Sequence, residues 1–267
     1  MPTDGTNAKI AQLVEHDLAK VGVAGSNPVF RSKQTYFNMH IVIPGLPKCG
    51  TTSLYNYFIT SGKVSRPTQK EGQYILNHSD KIGYLKFLKY NKKYYTIDAS
   101  TSYATNSEHI IPILKEMFQD ELKIIILFRN PVDRLYSNYI MHYKQGWIKK
   151  INFNDEYLEY FNNNQQNQYQ QYDKIFNAWN SQFNSDQLKF IISEELFNDN
   201  NILKEISEWV GIEYKNQPLA KIAPFGRRPA NYPKMNSVTR KKLLELHEPI
   251  INNLSQYIPT AKNWLTF

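Results

Sequence analysis

Cysteine is nearly missing from this chain. Cys49 is the only one among 267 residues, which excludes an intramolecular disulfide framework and a cysteine-based zinc site. Long apolar runs are missing as well. The longest, His40–Pro44 and Lys123–Phe128, fall far short of the roughly 20 residues that cross a bilayer. No N-terminal stretch joins a basic start, an apolar centre and a small-residue cleavage site. These absences predict a soluble, cytoplasmic protein with no membrane partner. Basic residues form no compact cluster, which argues against a nucleic-acid partner. No set of His, Asp and Glu shows metal-ligand spacing, so no metal is expected.

The residues present are those of a globular chain: 41% are hydrophobic and 21% charged, which excludes a disordered polyelectrolyte. Lys and Arg outnumber Asp and Glu by 32 to 24, a net charge of +8. Such a surplus serves either solubility alone or an anionic ligand, and the motifs below favour a phosphorylated or sulfated small molecule.

Residues 1–38 read as an appendage, with a short amphipathic helix over Ala8–Val23, and 39–267 as a single domain. From His40 the pattern is α/β. Strands are expected at His40–Ile43, Tyr94–Ile97, Lys123–Phe128 and Leu188–Ile192. Helices are expected over Thr51–Ser61, Glu108–Phe118, from about Val132, over Asn201–Val210 up to Gly211, and from Ser237 to about Tyr257. Alternation of this kind predicts a three-layer α/β fold with a central parallel sheet flanked by helices. Nine of the ten residues in 162–171 are Asn or Gln, which marks a loop or a loosely held surface helix rather than core.

Residues 41–54, IVIPGLPKCGTTSL, pass from strand through a Gly-containing loop into a helix start. Backbone N–H groups and the helix dipole at such a junction attract an anion. Gly45 and Gly50 let the backbone approach it, and Thr51, Thr52 and Ser53 add hydroxyls. The spacing from Gly45 to Gly50 mimics a nucleotide-binding P-loop, yet Thr51 stands where that motif has its lysine, and Lys48 lies earlier, inside the loop. The loop is therefore suited to an anion other than magnesium-ATP.

The second signal is KIIILFRNPVDRLYSNY at 123–139. A buried strand delivers Arg129 at its C-terminal end, where ligands gather in open α/β sheets. Ser137 follows two helical turns later, and both could meet one phosphate. Alternatively, Arg129 is a structural ion-pair partner of Asp133.

These segments resemble the 3′-phosphoadenosine 5′-phosphosulfate (PAPS)-dependent sulfotransferase family, most closely its heparan-sulfate-type and bacterial members. PKCGTTSL resembles the family's 5′-phosphosulfate loop and RNPVDRLYSNY its 3′-phosphate motif. Lys70-Glu71 matches its Lys-Glu catalytic pair, and Asp98–Tyr103 its Glu-x-Ser-Pro-Ala/Ser-Tyr element. Ser193–Leu196, Trp209–Gly211 and GRRPANYPKM (226–235) extend the resemblance over about residues 40–258.

The resemblance implies a P-loop-type fold and in-line sulfuryl transfer from PAPS to a hydroxyl or amine of an acceptor, leaving 3′-phosphoadenosine 5′-phosphate (PAP). Lys48, Cys49, Gly50, Thr51, Thr52 and Ser53 would hold the 5′-phosphosulfate, and Arg129 and Ser137 the 3′-phosphate. Gly226, Arg227 and Arg228 would close over the nucleotide, and no metal is required. Glu71 would be the base, unless it is a loop carboxylate paired only with Lys70. Another branch of the family uses a histidine base, which makes His78 and His142 fallbacks, although neither matches that branch's pattern. Ala99 replaces a second lysine common in glycan-modifying members, and Thr101 replaces the proline. The expected cytoplasmic location, rather than the resemblance, points to a small, specialised metabolite as acceptor, with sulfation of a glycan or a P-loop kinase as alternatives. Trp147 is either a stacking wall for it or a hydrophobic anchor.

Overall fold

The computed structural model describes residues 38–78, 80–151, 170–217, 219 and 234–266. Its centre is a four-stranded sheet. The strands are β1 (His40–Gly45), β2 (Thr96–Asp98), β3 (Leu122–Phe128) and β4 (Leu188–Ile192), in the order β2-β1-β3-β4 and all parallel. Continuous β-branched and aromatic runs suit strands covered on both faces. β1 is buried throughout, and of β3 only Lys123 is less than buried.

The flanking helices are α1 (Thr51–Thr60), α2 (Tyr74–Asn77), α3 (Lys81–Phe87), α4 (Ser107–Phe118), α5 (Pro131–Lys144), α6 (Tyr172–Asn180), α7 (Ser193–Asn198), α8 (Asn200–Val210) and α9 (Ser237–Ser255). α9 packs on α5 and α6 and continues the core through Leu243, Ile251 and Leu254. Trp179 of α6 is wholly buried, and its indole Nε1 donates to the Ala104 carbonyl at 3.1 Å, which satisfies the ring's polar edge.

The strand order determines where a ligand can sit. The chain leaves β1 for β2 on one side, then returns to β3 on the other. The loops after β1 and β3 therefore diverge from neighbouring C-terminal strand ends, which opens a crevice there. Pro44 lies in the middle of the sheet, where a missing N–H would ordinarily break a ladder. It is accommodated because the β1–β3 register shifts between Val42 and Gly45, a bulge that also re-aims the chain into the loop.

The expected β2 begins two residues later than read, at Thr96, because Tyr95 instead bridges in parallel to Val64. The short helices α2 and α3, and α6, were not expected. The Ala8–Val23 helix lies outside the described residues, as does most of the Asn/Gln tract.

Candidate active site

Gly50 N-caps α1 with φ of +89°, and no side chain caps this helix end. There is no acidic residue in its first turn, so no carboxylate of the helix itself offsets its positive end. A Cβ on Gly50 would lie 2.5 Å from the Phe197 ring, so glycine is required by both conformation and space. Thr51 and Ser53 are buried and Thr52 is half-buried.

Lys48 has φ of +69°, a left-handed conformation that costs a non-glycine residue about 1–2 kcal/mol. It is held there by the neighbouring loop: Arg129 Nη1 donates to the Lys48 carbonyl at 2.9 Å. Ser193 Oγ donates to the Cys49 carbonyl at 2.6 Å. Loops following β1, β3 and β4 are thus bonded to one another at the crevice. The Lys48 ammonium reaches Met141 Sδ on α5 at 3.4 Å. Burial lowers its pKa first; Glu71 opposes this, while Arg129, Lys144 and Lys70 push it further down. Lys48 is therefore a partly desolvated cation in the combined field of Glu71 and three other cations. Such a group gains most when an anion enters.

The structure brings Arg129 to Lys48 and gives Asp133 a different partner from the one considered above. Asp133 accepts from Arg240 Nη1 at 2.8 Å and Nη2 at 3.4 Å. The pairing of Arg129 with Asp133 is therefore not the arrangement found, because Arg240 of α9 reaches the carboxylate and Arg129 turns to the loop.

Asp133, Ser137 and Met141 recur every fourth residue and are half-buried, while the residues between them are buried. This stripe of α5 runs from Asp133, at the cavity described next, to Met141, at the Lys48 ammonium. Ser137 lies between them. Asn130 caps α5, its side-chain oxygen accepting from Val132 N at 2.9 Å.

A cavity of about 400 Å³ opens at the same strand ends, lined by Cys49, Gly50, Arg129, Asp133, Glu194 and Phe197 among others. Glu194 Oε1 accepts from Asn130 N at 3.0 Å, and burial raises the pKa of this carboxyl. Glu194 falls in the Ser193–Leu196 segment matched above but carries no role there, and Phe197 lies just beyond it. They reach the cavity because α7 begins directly at the end of β4. Cys49 contributes its backbone: its side chain is wholly buried and burial raises the thiol to about 12, so it is not a reactive thiol.

Glu71 is exposed and ion-paired to Lys70, yet it also acts on Lys48. It has φ of +58°, and Gln73 of the same segment has +50°. His78 is exposed and packs on Tyr74, with ring centroids 4.6 Å apart. His142 is buried, and its pKa is lowered by burial and then by Lys48, so the imidazole lies within the lysine's field. Its ring packs on Trp147, 4.7 Å between centroids, and Trp147 is 69% exposed. Gly226, Arg227 and Arg228 lie outside the described residues.

The cations at this crevice, Lys48 in the loop before the uncapped α1 end and Arg129 bonded to the Lys48 carbonyl, suit the anionic groups of a nucleotide, and the carboxylates of Asp133 and Glu194 share the cavity with Arg129. No helix among the described residues is long and apolar enough to cross a membrane.

Known proteins share both the sequence pattern and the fold. Human Sulfotransferase 6B1 is 24% identical over 207 residues, covering 74% of this chain and 64% of that protein. Mouse Sulfotransferase 6B1 is 27% identical over 120 residues, covering 45% and 39%. The chain thus matches less than two thirds of the length of both relatives, 64% of the human and 39% of the mouse protein. Among solved structures, a sulfotransferase from Alicyclobacillus acidocaldarius superposes with a TM-score of 0.63 at 20% identity, over 83% of this chain and 96% of that one. Mouse sulfotransferase SULT7A1 complexed with PAP gives 0.50 at 20% identity, over 85% and 87%. The structural likenesses establish the α/β fold of these enzymes. A family model described as the sulfotransferase domain matches residues 38–245, most of the chain, and the protein belongs to the sulfotransferase family.

Proposed function

We propose that this protein transfers a sulfuryl group from PAPS to a hydroxyl or amine/amide nitrogen of a small acceptor. The observation that carries the reading is the setting of Lys48, whose carbonyl is bonded by Arg129 and whose ammonium lies in the fields of both Glu71 and Arg129. A base, a leaving-group cation and a second anion ligand are the three parts in-line transfer needs, and here they surround one loop.

PAPS, when bound, supplies an activated sulfuryl group on a phosphate leaving group. The α1 N-terminus with Thr51, Thr52 and Ser53 receives the 5′ end, and Lys48 neutralises charge that builds on the departing phosphate oxygen. Arg129 and Ser137 take the 3′-phosphate, the group that separates PAPS from ATP. Glu71 accepts the acceptor's proton as the acceptor oxygen or nitrogen bonds to sulfur and the sulfur–oxygen bond to phosphate breaks. His142 lies within the field of the same ammonium and packs on Trp147, and the pair is assigned to the acceptor's side. Thr51, buried in the position where a P-loop kinase has its lysine, disfavours a kinase.

Incubating the protein with radiolabelled PAPS and a cell extract, then separating products by size, tests this reading. Label is expected in the small-metabolite fraction and absent with Lys48→Ala. Label in polysaccharide would replace the small acceptor by a glycan. Failure to consume PAPS with any extract would overturn the proposal.

A further inference from the structure

The segment that carries Glu71 is tied to the sheet by a buried chain of hydrogen bonds. Asp98 ends β2, is almost fully buried, and gives each carboxylate oxygen to a different hydroxyl. Oδ1 accepts from Ser100 Oγ at 2.6 Å, and Oδ2 accepts from the Tyr84 hydroxyl at 2.9 Å. Ser100 Oγ, its proton committed to Asp98, accepts the backbone N–H of Gln73 at 3.0 Å.

The chain continues behind Tyr84. His40 Nε2 lies 3.2 Å from the Tyr84 hydroxyl and His40 Nδ1 lies 2.8 Å from Thr96 Oγ1. Because Tyr84 gives its one proton to Asp98, its oxygen is the acceptor for His40 Nε2, while Nδ1 is bonded to Thr96. Every proton along the chain then points toward the carboxylate, an arrangement in which each bond polarises the next.

Two further contacts grip the same segment. The Tyr103 hydroxyl accepts from Ile75 N at 3.0 Å, and a Cβ on Gly72 would run into the Phe87 ring. Glu71 and Gln73, on either side of Gly72, both have the left-handed backbone that ordinary residues avoid. Neither Asp98 nor Ser100 lines the cavity beside Arg129.

We propose that Asp98 and Ser100 are positioning residues for Glu71: through Ser100 Oγ the buried carboxylate fixes the Gln73 N–H, which keeps Glu71 in its left-handed conformation beside Lys48. This rests on the reading of Glu71 as the base. Neither residue touches substrate; both act through one backbone amide.

The test compares Ser100→Ala, which removes the acceptor for Gln73 N–H, with Ser100→Thr, which keeps it. Turnover, PAP affinity by calorimetry and amide hydrogen exchange over residues 71–75 are measured for both. Ser100→Ala is expected to lower turnover by about tenfold or more and to speed exchange at Gln73. PAP affinity is expected to stay within about twofold, and Ser100→Thr to restore turnover and protection. In a Glu71→Gln background, Ser100→Ala is expected to cost little more. If it fails to fold, Ser100→Cys, a weaker acceptor of similar shape, carries the same expectations. Unchanged exchange at Gln73, or a Ser100→Ala loss equally large in the Glu71→Gln background, overturns the positioning role alone. Full turnover in Glu71→Gln by itself overturns the base reading, and the positioning role with it.

Discussion

At the scale of single residues, Lys48, Glu71 and Arg129 have separable duties and so separable signatures. Lys48→Ala is expected to reduce turnover by about 10²–10³, the cost of removing a charge-stabilising donor from a transfer site. Because burial and neighbouring cations lower the Lys48 pKa, its charge is lost at a lower pH than an exposed lysine's. PAP affinity should therefore weaken on the alkaline side below the ordinary lysine range, and Lys48→Ala should lack that limb. An alkaline limb unchanged in the variant would assign it elsewhere. Glu71→Gln is expected to cut turnover by about 10²–10⁴ while PAP affinity holds, as isothermal titration would show. Arg129→Ala is expected to weaken PAP by about tenfold or more, and adenosine 5′-phosphosulfate, which lacks the 3′-phosphate, far less. Equal losses for the two nucleotides would contradict its role.

Lys48 and Arg129 were legible in the sequence because each sits in a short, contiguous strand–loop–helix pattern. The partner of Asp133 was not, since Arg240 lies on α9, far along the chain, and only folding brings α9 onto α5. Phe197 escaped notice for the same reason, and Glu194, though within the matched Ser193–Leu196 segment, was given no role. Nothing local marks the start of α7 as a cavity wall.

At the scale of elements, the site is a junction, where the C-terminal ends of β1, β3 and β4 bond to one another through Arg129, Asn130 and Ser193. Gly50 is the residue on which that junction is tightest. Gly50→Ala places a side chain on a left-handed backbone and drives it into Phe197. Chemical denaturation should show about 1–3 kcal/mol lost, with PAP binding weakened because the α1 amides turn away. A variant of wild-type stability and affinity would mean that the α1 terminus does not bind the nucleotide.

The long apolar strands and the well-punctuated helices, such as α8 ending at Gly211, were legible because period and stop signals agree there. The segment between Lys70 and Phe87 was not. It is built from two short helices and left-handed residues, and it is organised by bonds to Asp98, Ser100 and Tyr103 rather than by its own pattern.

At the scale of the whole molecule, buried histidines couple stability to pH, most strongly His40 and His247. Burial lowers His40 to about 3 and His247 to about 4, from an ordinary 6.5. Both are neutral in the fold and would protonate readily in the unfolded chain. Their contribution is complete above pH 6.5 and is lost as pH falls, through about 4 for His247 and about 3 for His40. At about 1.4 kcal/mol per unit, the loss amounts to several kcal/mol. The raised carboxyls of Asp98 and Glu194 run the other way and offset part of it. Denaturation midpoints should fall between pH 6.5 and 4, and a flat profile would show that the histidines are not held neutral.

The central claim is that the crevice at the ends of β1 and β3 is built for a nucleotide with a 3′-phosphate rather than for magnesium-ATP. Calorimetric titration of the full chain with PAP, beside ATP with and without magnesium, tests it most directly. The expected result is tight, metal-independent binding of PAP and weak binding of ATP. Preferential binding of magnesium-ATP would contradict the assignments of Lys48, Arg129 and Ser137 together.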